Sequence, residues 1–482
     1  MSDTSYRFGV PQVRNNLVGL SLPMISGMAV FGVLAVVSFL LGITPIASVV
    51  LIALGVAWGF LPIGNKMAYE WAIPLGHFFK SEHAGTRTYR SPRTLARLGS
   101  GLPKIRIPLP PELEGVKFVS YADNGVGMAV AIEKERSAFL MTAVFRVSRE
   151  DNFQLAEIDE QASAIAQWGS VLSSTAVERT RVERLCWLER SFPDSGEEQQ
   201  TWFAENRPEE DSEDLEDYES WLSSATRYSR RHEVFVGLQV KSHKKDEAEA
   251  LAEAGDEWRS FASRLAAAGL FGTPVGAKEM VGLFRTFADP MAASIEEAFP
   301  RRRISLATMG PRSRKSMWDH LRVEGSFQRY WLVAEWPRTP VAANWMEPLL
   351  LSHVGDAVRT VTMVLEPVPL RKALSSVVQS QVRAEASDAA RRERGQIQRA
   401  NAARASEELA LREEELVAGY PEHRIAAVIG LAATSKESLE EATASLIGAA
   451  TKSQLRLDGL EGYQEEGWAA ALPLCRLRFK RV

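Results

Sequence analysis

The sequence predicts a membrane α-helical hairpin followed by a cytosolic α+β region. That region comprises two α/β sandwich units of the split β-α-β type and a long protruding helix. Three observations carry this prediction. The stretch from Asn15 to Asn65 has no charged side chain, two later regions alternate strand-like and helix-like patterns, and a polar helical stretch runs from about Arg371 to Ala418. One membrane span needs roughly 20 apolar residues, so the first stretch is long enough for two.

The hairpin consists of two predicted spans, about Leu20–Leu41 and Ile46–Pro62. Pro45 separates them, because proline has no N–H to donate and favours the first turn of a helix. The alternative, a pair of buried helices in a soluble protein, is disfavoured because such helices are usually amphipathic. The segment Met24–Phe60 is instead apolar on all sides.

Two glycines of the second span, Gly55 and Gly59, form a Gly-x-x-x-Gly pair. Small residues at this spacing let two membrane helices approach closely. The sequence leaves open whether the pair faces the first span or a neighbouring subunit.

Basic residues set the predicted orientation. The turn between the spans carries no charge, whereas both flanks are basic. The basic residues are Arg7, Arg14, Lys66, Lys80, Arg87, Arg90, Arg93 and Arg97. The positive-inside rule therefore predicts a protein of the cell (inner) membrane with two spans and both termini in the cytoplasm. Cys186 and Cys475 lie in apolar contexts, which favours reduced thiols.

Composition shifts divide the chain into five predicted regions. Proline and glycine breakers mark the linker, and an acidic stretch at about 192–219 is predicted to be a solvated loop of the first domain. The regions are a hairpin (1–68), a juxtamembrane linker (69–111), a first α/β domain (112–283), a basic bridge (284–325) and a second α/β domain (326–482). The second domain carries the helical arm at about 371–418. The sequence leaves open whether this arm is one helix or two helices divided at Gly395.

The bridge contains a basic patch that is a candidate surface for a protein partner or for nucleic acid. Its members are Arg301, Arg302, Arg303, Arg312, Arg314 and Lys315. Single-stranded nucleic acid is usually bound by basic groups interleaved with aromatic platforms. Only Trp318 and Phe327 lie near, so a solvated or partner-facing patch is favoured over nucleic acid.

Motifs of catalysis are absent from the sequence. Gly272–Lys278 has the wrong spacing for a phosphate-binding loop, and Gly448–Ser453 lacks the second glycine. There is no His-Glu-x-x-His, Gly-x-Ser-x-Gly or Cys-x-x-Cys motif. We therefore expect no enzyme activity, no metal and no cofactor.

A set of patterns in the C-terminal third carries a family resemblance. They are the strand Tyr330–Trp336, the Val/Thr strand Val358–Glu366, the long Arg/Glu helix, Glu414–Gly419, Arg424–Ala432, Ser435–Lys452 and Leu472-Pro473-Leu474. Together they resemble the N-terminal, non-ATPase part of the conjugation ATPases of type IV secretion systems, the TraC/TrbE/CagE type. The N-terminal hairpin is similar to the small PrgI-type membrane subunit of Gram-positive conjugation systems.

The resemblance implies a function as well as a fold. In the ATPase family the Leu-Pro-Leu segment precedes the motor domain, whereas this sequence ends at Val482. We therefore expect an inner-membrane scaffold of a type IV secretion or conjugation-like apparatus in a Gram-positive actinobacterium, which docks a separate motor ATPase. Other membrane subunits and further copies of the chain are the remaining expected partners. The alternative is a membrane-tethered DNA-binding protein that acts on the transferred strand.

Overall fold

A mixed α/β structure with one large antiparallel sheet confirms the predicted class in its coarse form. The computed structural model describes residues 22–42, 44–64, 66–91, 109–123, 125–149, 157–177, 180–194, 196–207, 213–225, 230–289, 306, 309–393 and 400–476. The α-helices are α1 (Leu22–Leu40), α2 (Pro45–Phe60), α3 (Ala72–His83), α4 (Ile158–Thr175), α5 (Glu197–Glu205), α6 (Glu213–Ala225), α7 (Glu247–Ala267), α8 (Ala277–Ala288), α9 (Glu347–Leu350), α10 (Leu370–Glu393), α11 (Ala400–Val417), α12 (Lys436–Lys452) and α13 (Gln464–Ala471).

The strands lie mostly in the region after residue 110. They are β1 (Pro62–Ile63), β2 (Lys66–Met67), β3 (Thr88–Arg90), β4 (Val116–Asp123), β5 (Val126–Glu135), β6 (Ala138–Ser148), β7 (Val182–Pro193), β8 (Arg230–Ser242), β9 (Phe271–Pro274), β10 (Ser313–Ser316), β11 (Leu321–Val323), β12 (Ser326–Glu335), β13 (Val358–Val368), β14 (Glu422–Ala433) and β15 (Arg456–Gly459). Apart from the β1–β2 hairpin, they form one sheet of 13 strands.

The sheet runs in the order β3-β10-β11-β12-β14-β13-β7-β8-β6-β5-β4, with β15 added to β12 and β9 added to β6. All of its pairs are antiparallel. The two predicted α/β units therefore share one sheet, because β7 of the first unit pairs with β13 of the second over seven residues.

The two halves of this sheet have the same internal strand order. In the first half β9-β6-β8-β7 are neighbours, and in the second half β15-β12-β14-β13 are neighbours. When the strands of each half are counted along the chain, both orders read 4-1-3-2, the arrangement of a split β-α-β fold. Each half also inserts a helical pair between its second and third strands, α5 with α6 in one and α10 with α11 in the other.

Alternating side chains explain why both faces of the sheet are covered. On β14, Val428 packs into a core with Trp468 of α13, whereas Ile429 packs into a core with Leu446 of α12. On β8, Val236 faces a third core that contains Trp258 of α7. Successive residues of a strand point to opposite faces, so one central sheet lies between two helical layers.

The acidic stretch predicted as a solvated loop contains two helices, so the prediction of a loop was wrong. These helices are α5 and α6. An aromatic contact joins these helices, since the ring of Phe203 on α5 lies 5.2 Å from that of Tyr218 on α6, and within α6 Tyr218 lies 5.8 Å from Trp221. These apolar contacts offset the repulsion between neighbouring carboxylates, which alone would favour an unfolded segment.

The predicted linker and bridge also contain regular structure. Residues 69–111 include α3 and β3, and residues 284–325 include β10 and β11, all of which belong to the folded body. Pro74 lies in the first turn of α3, where a missing N–H breaks no helical hydrogen bond. The arm predicted at 371–418 is two helices that pack together, with Gln381 of α10 donating to Glu413 of α11 at 2.7 Å. Gly395 lies outside the described residues.

A buried ion pair links α8 to the turn after β11. The two terminal nitrogens of Arg285, Nη1 and Nη2, donate to the carboxylate of Glu324 at 2.6 and 3.0 Å. The backbone N–H of Arg312 donates to the same carboxylate at 2.8 Å. Burial by itself would raise the pKa of Glu324, but these hydrogen bonds and the two arginine charges outweigh it and hold the pKa below its ordinary value.

This lowered pKa predicts acid destabilisation. The stabilisation by Glu324 is complete above the ordinary glutamate pKa near 4.5 and is lost as the pH falls through the lower folded pKa. We expect Glu324→Gln to lower the free energy of unfolding at pH 7 by about 1.5–3 kcal/mol, since it weakens hydrogen bonds to a charged group. Urea melts between pH 3 and pH 7 (roughly the window set by the linkage) test this. An unchanged slope of stability against pH in the variant would contradict the assignment.

Candidate membrane-anchoring site

Two apolar helices, α1 and α2, pack side by side at the N-terminal end of the described chain. Their outward residues are exposed large hydrophobics, among them Val33, Phe39, Ile46 and Val50. By length and composition α1 is able to cross a membrane, whereas α2, with 16 residues, is shorter than a usual span. The structure thus gives one candidate span together with a shorter apolar helix packed against it.

The glycines of α2 face α1. A Cβ atom at Gly55 would lie 3.0 Å from Cβ of Phe31, and one at Gly59 would lie 2.9 Å from Sδ of Met28. Of the two partners that the sequence left open, the structure therefore places the first helix against this Gly-x-x-x-Gly pair. The approach is least adjustable at Gly55, because its neighbour is the Cβ atom of Phe31 and not the flexible end of a side chain.

A two-stranded β-ladder and a one-turn 3₁₀ helix follow α2 at the base of the hairpin. Strands β1 and β2 pair, and a one-turn 3₁₀ helix, Ala68–Trp71, contacts both α1 and α2. Lys66 extends from this base to the second half of the sheet, where its ammonium donates to the carbonyl oxygen of Gly459 at 3.1 Å and to Glu461 at 3.0 Å. The base of the hairpin is thus bound directly to the sheet.

One face of α3 packs on the segment between β15 and α13. The ring of His77 stacks on Tyr463 with centroids 4.2 Å apart, and its Nδ1 lies 3.0 Å from the carbonyl oxygen of Gly462. Phe78 meets Trp318 edge to face at 5.1 Å. We call this contact between α3 and the segment 459–463, with Trp318, the joint.

Gly462 makes the joint possible. Its φ of +78° lies in the left-handed region that favours glycine. A Cβ atom here would lie 2.9 Å from the carbonyl oxygen of Pro74 and 3.0 Å from the Trp318 ring. Its N–H donates to the carbonyl oxygen of Trp318 at 2.8 Å. The backbone itself is therefore part of the contact surface.

After α3 the chain joins the sheet as an edge strand. Strand β3 pairs with β10, so that Tyr89 lies opposite Arg314. The guanidinium of Arg87 lies 3.7 Å from the centre of the Phe78 ring and donates to the carbonyl oxygen of Ser316 at 3.1 Å. The hairpin is consequently fixed on both sides of α3, by Lys66 before it and by β3 after it.

The predicted basic patch is divided by the fold. The side chain of Arg314 is fully buried, paired with Glu112, and donates to the carbonyl oxygen of Thr86 at 3.0 Å. Arg312 and Lys315 are exposed. Arg301, Arg302 and Arg303 lie outside the described residues. Arg314 is thus a structural residue that links β10 to Glu112 and Thr86. Sequence could not show this, because a buried and an exposed arginine look alike in a charge run.

A cavity of about 500 Å³ lies beside the end of α12, lined by Pro340, Trp345, Pro348 and Ser453 among others. A smaller one of about 170 Å³ lies between α3 and α13. Within the described ranges no group of three His, Cys, Asp or Glu side chains is placed to hold a metal ion.

A comparison of the chain with protein-family models and with curated proteins finds no match.

Proposed function

We propose that this protein is a membrane-anchored scaffold of a type IV secretion or conjugation-like apparatus and that it docks a separate motor ATPase. One observation supports the proposed anchoring in the membrane. An apolar, outward-exposed helical hairpin is joined to a large sheet through Lys66, the joint and β3. In this proposal α1 and α2 both cross the inner membrane, and the sheet lies in the cytoplasm, as the basic flanks of the hairpin favour.

The helical pair α10–α11 is the proposed docking arm. It projects from the second half of the sheet between β13 and β14, and it exposes apolar side chains along α10, with Val378 50% and Val382 59% exposed. Residues four apart lie on one side of a helix, so these two form a continuous apolar stripe. The resemblance to the non-motor part of conjugation ATPases supports a motor ATPase as the partner of this stripe.

Thiol labelling tests the membrane topology. Because both native cysteines are buried, a membrane-impermeant maleimide will report only an introduced cysteine. We expect Leu41→Cys, in the turn between α1 and α2, to label in intact cells, and Val126→Cys, on β5, to label only after permeabilisation. Protection of both positions in intact cells, followed by labelling of both on permeabilisation, would overturn the two-span topology.

Co-purification tests the docking. We expect the full chain to retain a motor ATPase encoded beside it, and the double variant Val378→Asp/Val382→Asp to lose it. Ile447→Asp, an equally exposed apolar position on α12, is the matched control and should retain the ATPase. Failure of the unaltered chain to bind any candidate motor would contradict the scaffold proposal.

A further inference from the structure

The helix α3 has two apolar faces, and the joint covers only one of them. His77 and Phe78 pack on the sheet, whereas Ile73, Leu75 and Phe79 point away from it and remain 43%, 41% and 55% exposed. Leu75 and Phe79 are four residues apart and lie with the exposed Gly76 on the outer side of the helix, and Ile73 lies at the edge of that side. We call this broad outer face the stripe. In the described part of the chain nothing covers this stripe.

The stripe continues the apolar surface of the hairpin. The 3₁₀ turn Ala68–Trp71 contacts α1 and α2, and α3 begins at the next residue. From the last residue of α2 to the start of α3, the side chains of Phe60, Ile63 and Met67 are exposed as well. The outer face of α3 therefore lies beside the base of the hairpin, at the level where a bilayer around α1 and α2 would end.

The composition of this region suits a membrane interface. With 12 residues, α3 is too short to span a bilayer, so its apolar outer face suits the membrane interface rather than a membrane crossing. Tyr69 and Trp71 precede it, and such aromatic residues favour the headgroup level. Lys80 follows Phe79 as an exposed cation at the far end of the stripe.

We infer that α3 is an interfacial membrane helix, whose stripe Ile73–Leu75–Phe79 inserts into the headgroup–acyl boundary of the cytoplasmic leaflet. The inference rests on the proposed anchoring of the hairpin. Because its opposite face forms the joint, α3 lies between the lipid and the sheet and contacts both. The β15–α13 segment is then held about 10–12 Å from the lipid, roughly one helix diameter.

This arrangement differs from a domain on a flexible tether. A tethered domain samples many distances from the membrane, whereas a sheet bound through the joint keeps one distance and one tilt. The docking arm would therefore be presented at a fixed height above the membrane. Both native cysteines are buried, which allows single spin labels to be placed in the otherwise unaltered full chain.

Spin-label accessibility in phosphatidylcholine nanodiscs tests the inference. Labels are placed at Phe79→Cys on α3, at Val50→Cys on the outside of α2 and at Val126→Cys on β5, all exposed positions. We expect the Phe79 label to collide with oxygen more than with a water-soluble nickel chelate, at a depth shallower than the Val50 label. The Val126 label should favour the nickel chelate.

Each contrary outcome has a distinct meaning. A Phe79 label as accessible to nickel as the Val126 label, with the Val50 label in lipid, overturns the interfacial helix and leaves the proposed anchoring intact. A Phe79 label shielded from both reagents indicates a protein contact instead of lipid and also overturns it. If the Val50 label itself favours nickel, the hairpin is not in the membrane and the proposed function fails.

Discussion

Replacing Glu189 by alanine is expected to lower the free energy of unfolding by about 3–5 kcal/mol, because it leaves a buried charge without its partner. Glu189 on β7 pairs with Arg359 on β13 at 3.2 Å, and the side chain of Arg359 is fully buried. Burial lowers the pKa of Arg359, and the charge and hydrogen bond of Glu189 oppose that effect. The same carboxylate lies 2.7 Å from Nδ1 of His232.

The stability is expected to be lost where the two halves of the sheet meet, at the pairing of β7 with β13, which we call the seam. Arg230 lies there too, and burial together with the charge of Arg359 lowers its pKa to about 10. Removing Glu189 leaves these two arginines to repel each other. Urea unfolding of the full chain in detergent measures the effect.

A matched surface pair provides the control. Arg338 pairs with Glu335 but is 78% exposed, and exposed pairs contribute only about 0–1 kcal/mol. Arg338→Ala should therefore change stability little, since Glu335 keeps its second partner Arg456. The double variant Glu189→Leu/Arg359→Leu removes both charges and should recover part of the loss. A Glu189→Ala variant as stable as Arg338→Ala would show that the pair does not hold the halves together.

Replacing Gly462 by valine is expected to separate α3 from the sheet. The left-handed backbone alone costs a residue with a side chain about 1–2 kcal/mol, and the new Cβ atom would overlap Pro74 and Trp318. The His77–Tyr463 stack beside it would then open. Limited proteolysis in detergent should cleave the variant between the hairpin and the sheet much faster than the unaltered chain.

Gly325→Val is the control for this experiment. Gly325 lies in the turn between β11 and β12, and an added Cβ atom there would meet no other atom within 4 Å. Its cleavage should match that of the unaltered chain. Equal cleavage of the Gly462→Val variant would show that the joint does not restrain the hairpin.

Local patterns allowed the strands and main helices to be predicted from sequence. Asp123-Asn124-Gly125 marks a hairpin turn, and strands β4 and β5 lie on either side of it. The helix α12 begins after Ser435, whose hydroxyl accepts from the N–H of Ser438 at 3.1 Å. Signals of this kind involve residues a few positions apart, so they are readable from one sequence.

Long-range pairing was not predictable in the same way. The β7–β13 seam joins residues such as Glu189 and Val361, and no local pattern tells one buried strand which other strand it will pair with. The joint was missed for a related reason. Pro74 and Gly85 marked a linker in the sequence, and only the contacts of His77 and Phe78 with the distant Tyr463 and Trp318 show why a helix forms there.

The matching 4-1-3-2 order of the two halves makes the chain equivalent to a dimer fused edge to edge. A true homodimer would carry two identical helical insertions and two identical outer edges. Fusion removes that restriction, so each copy is free to specialise. In this protein one insertion is strongly acidic and aromatic, the other is long and exposes valines, and only the second half carries the hairpin. An architecture of two similar halves thus forms a platform whose two ends differ.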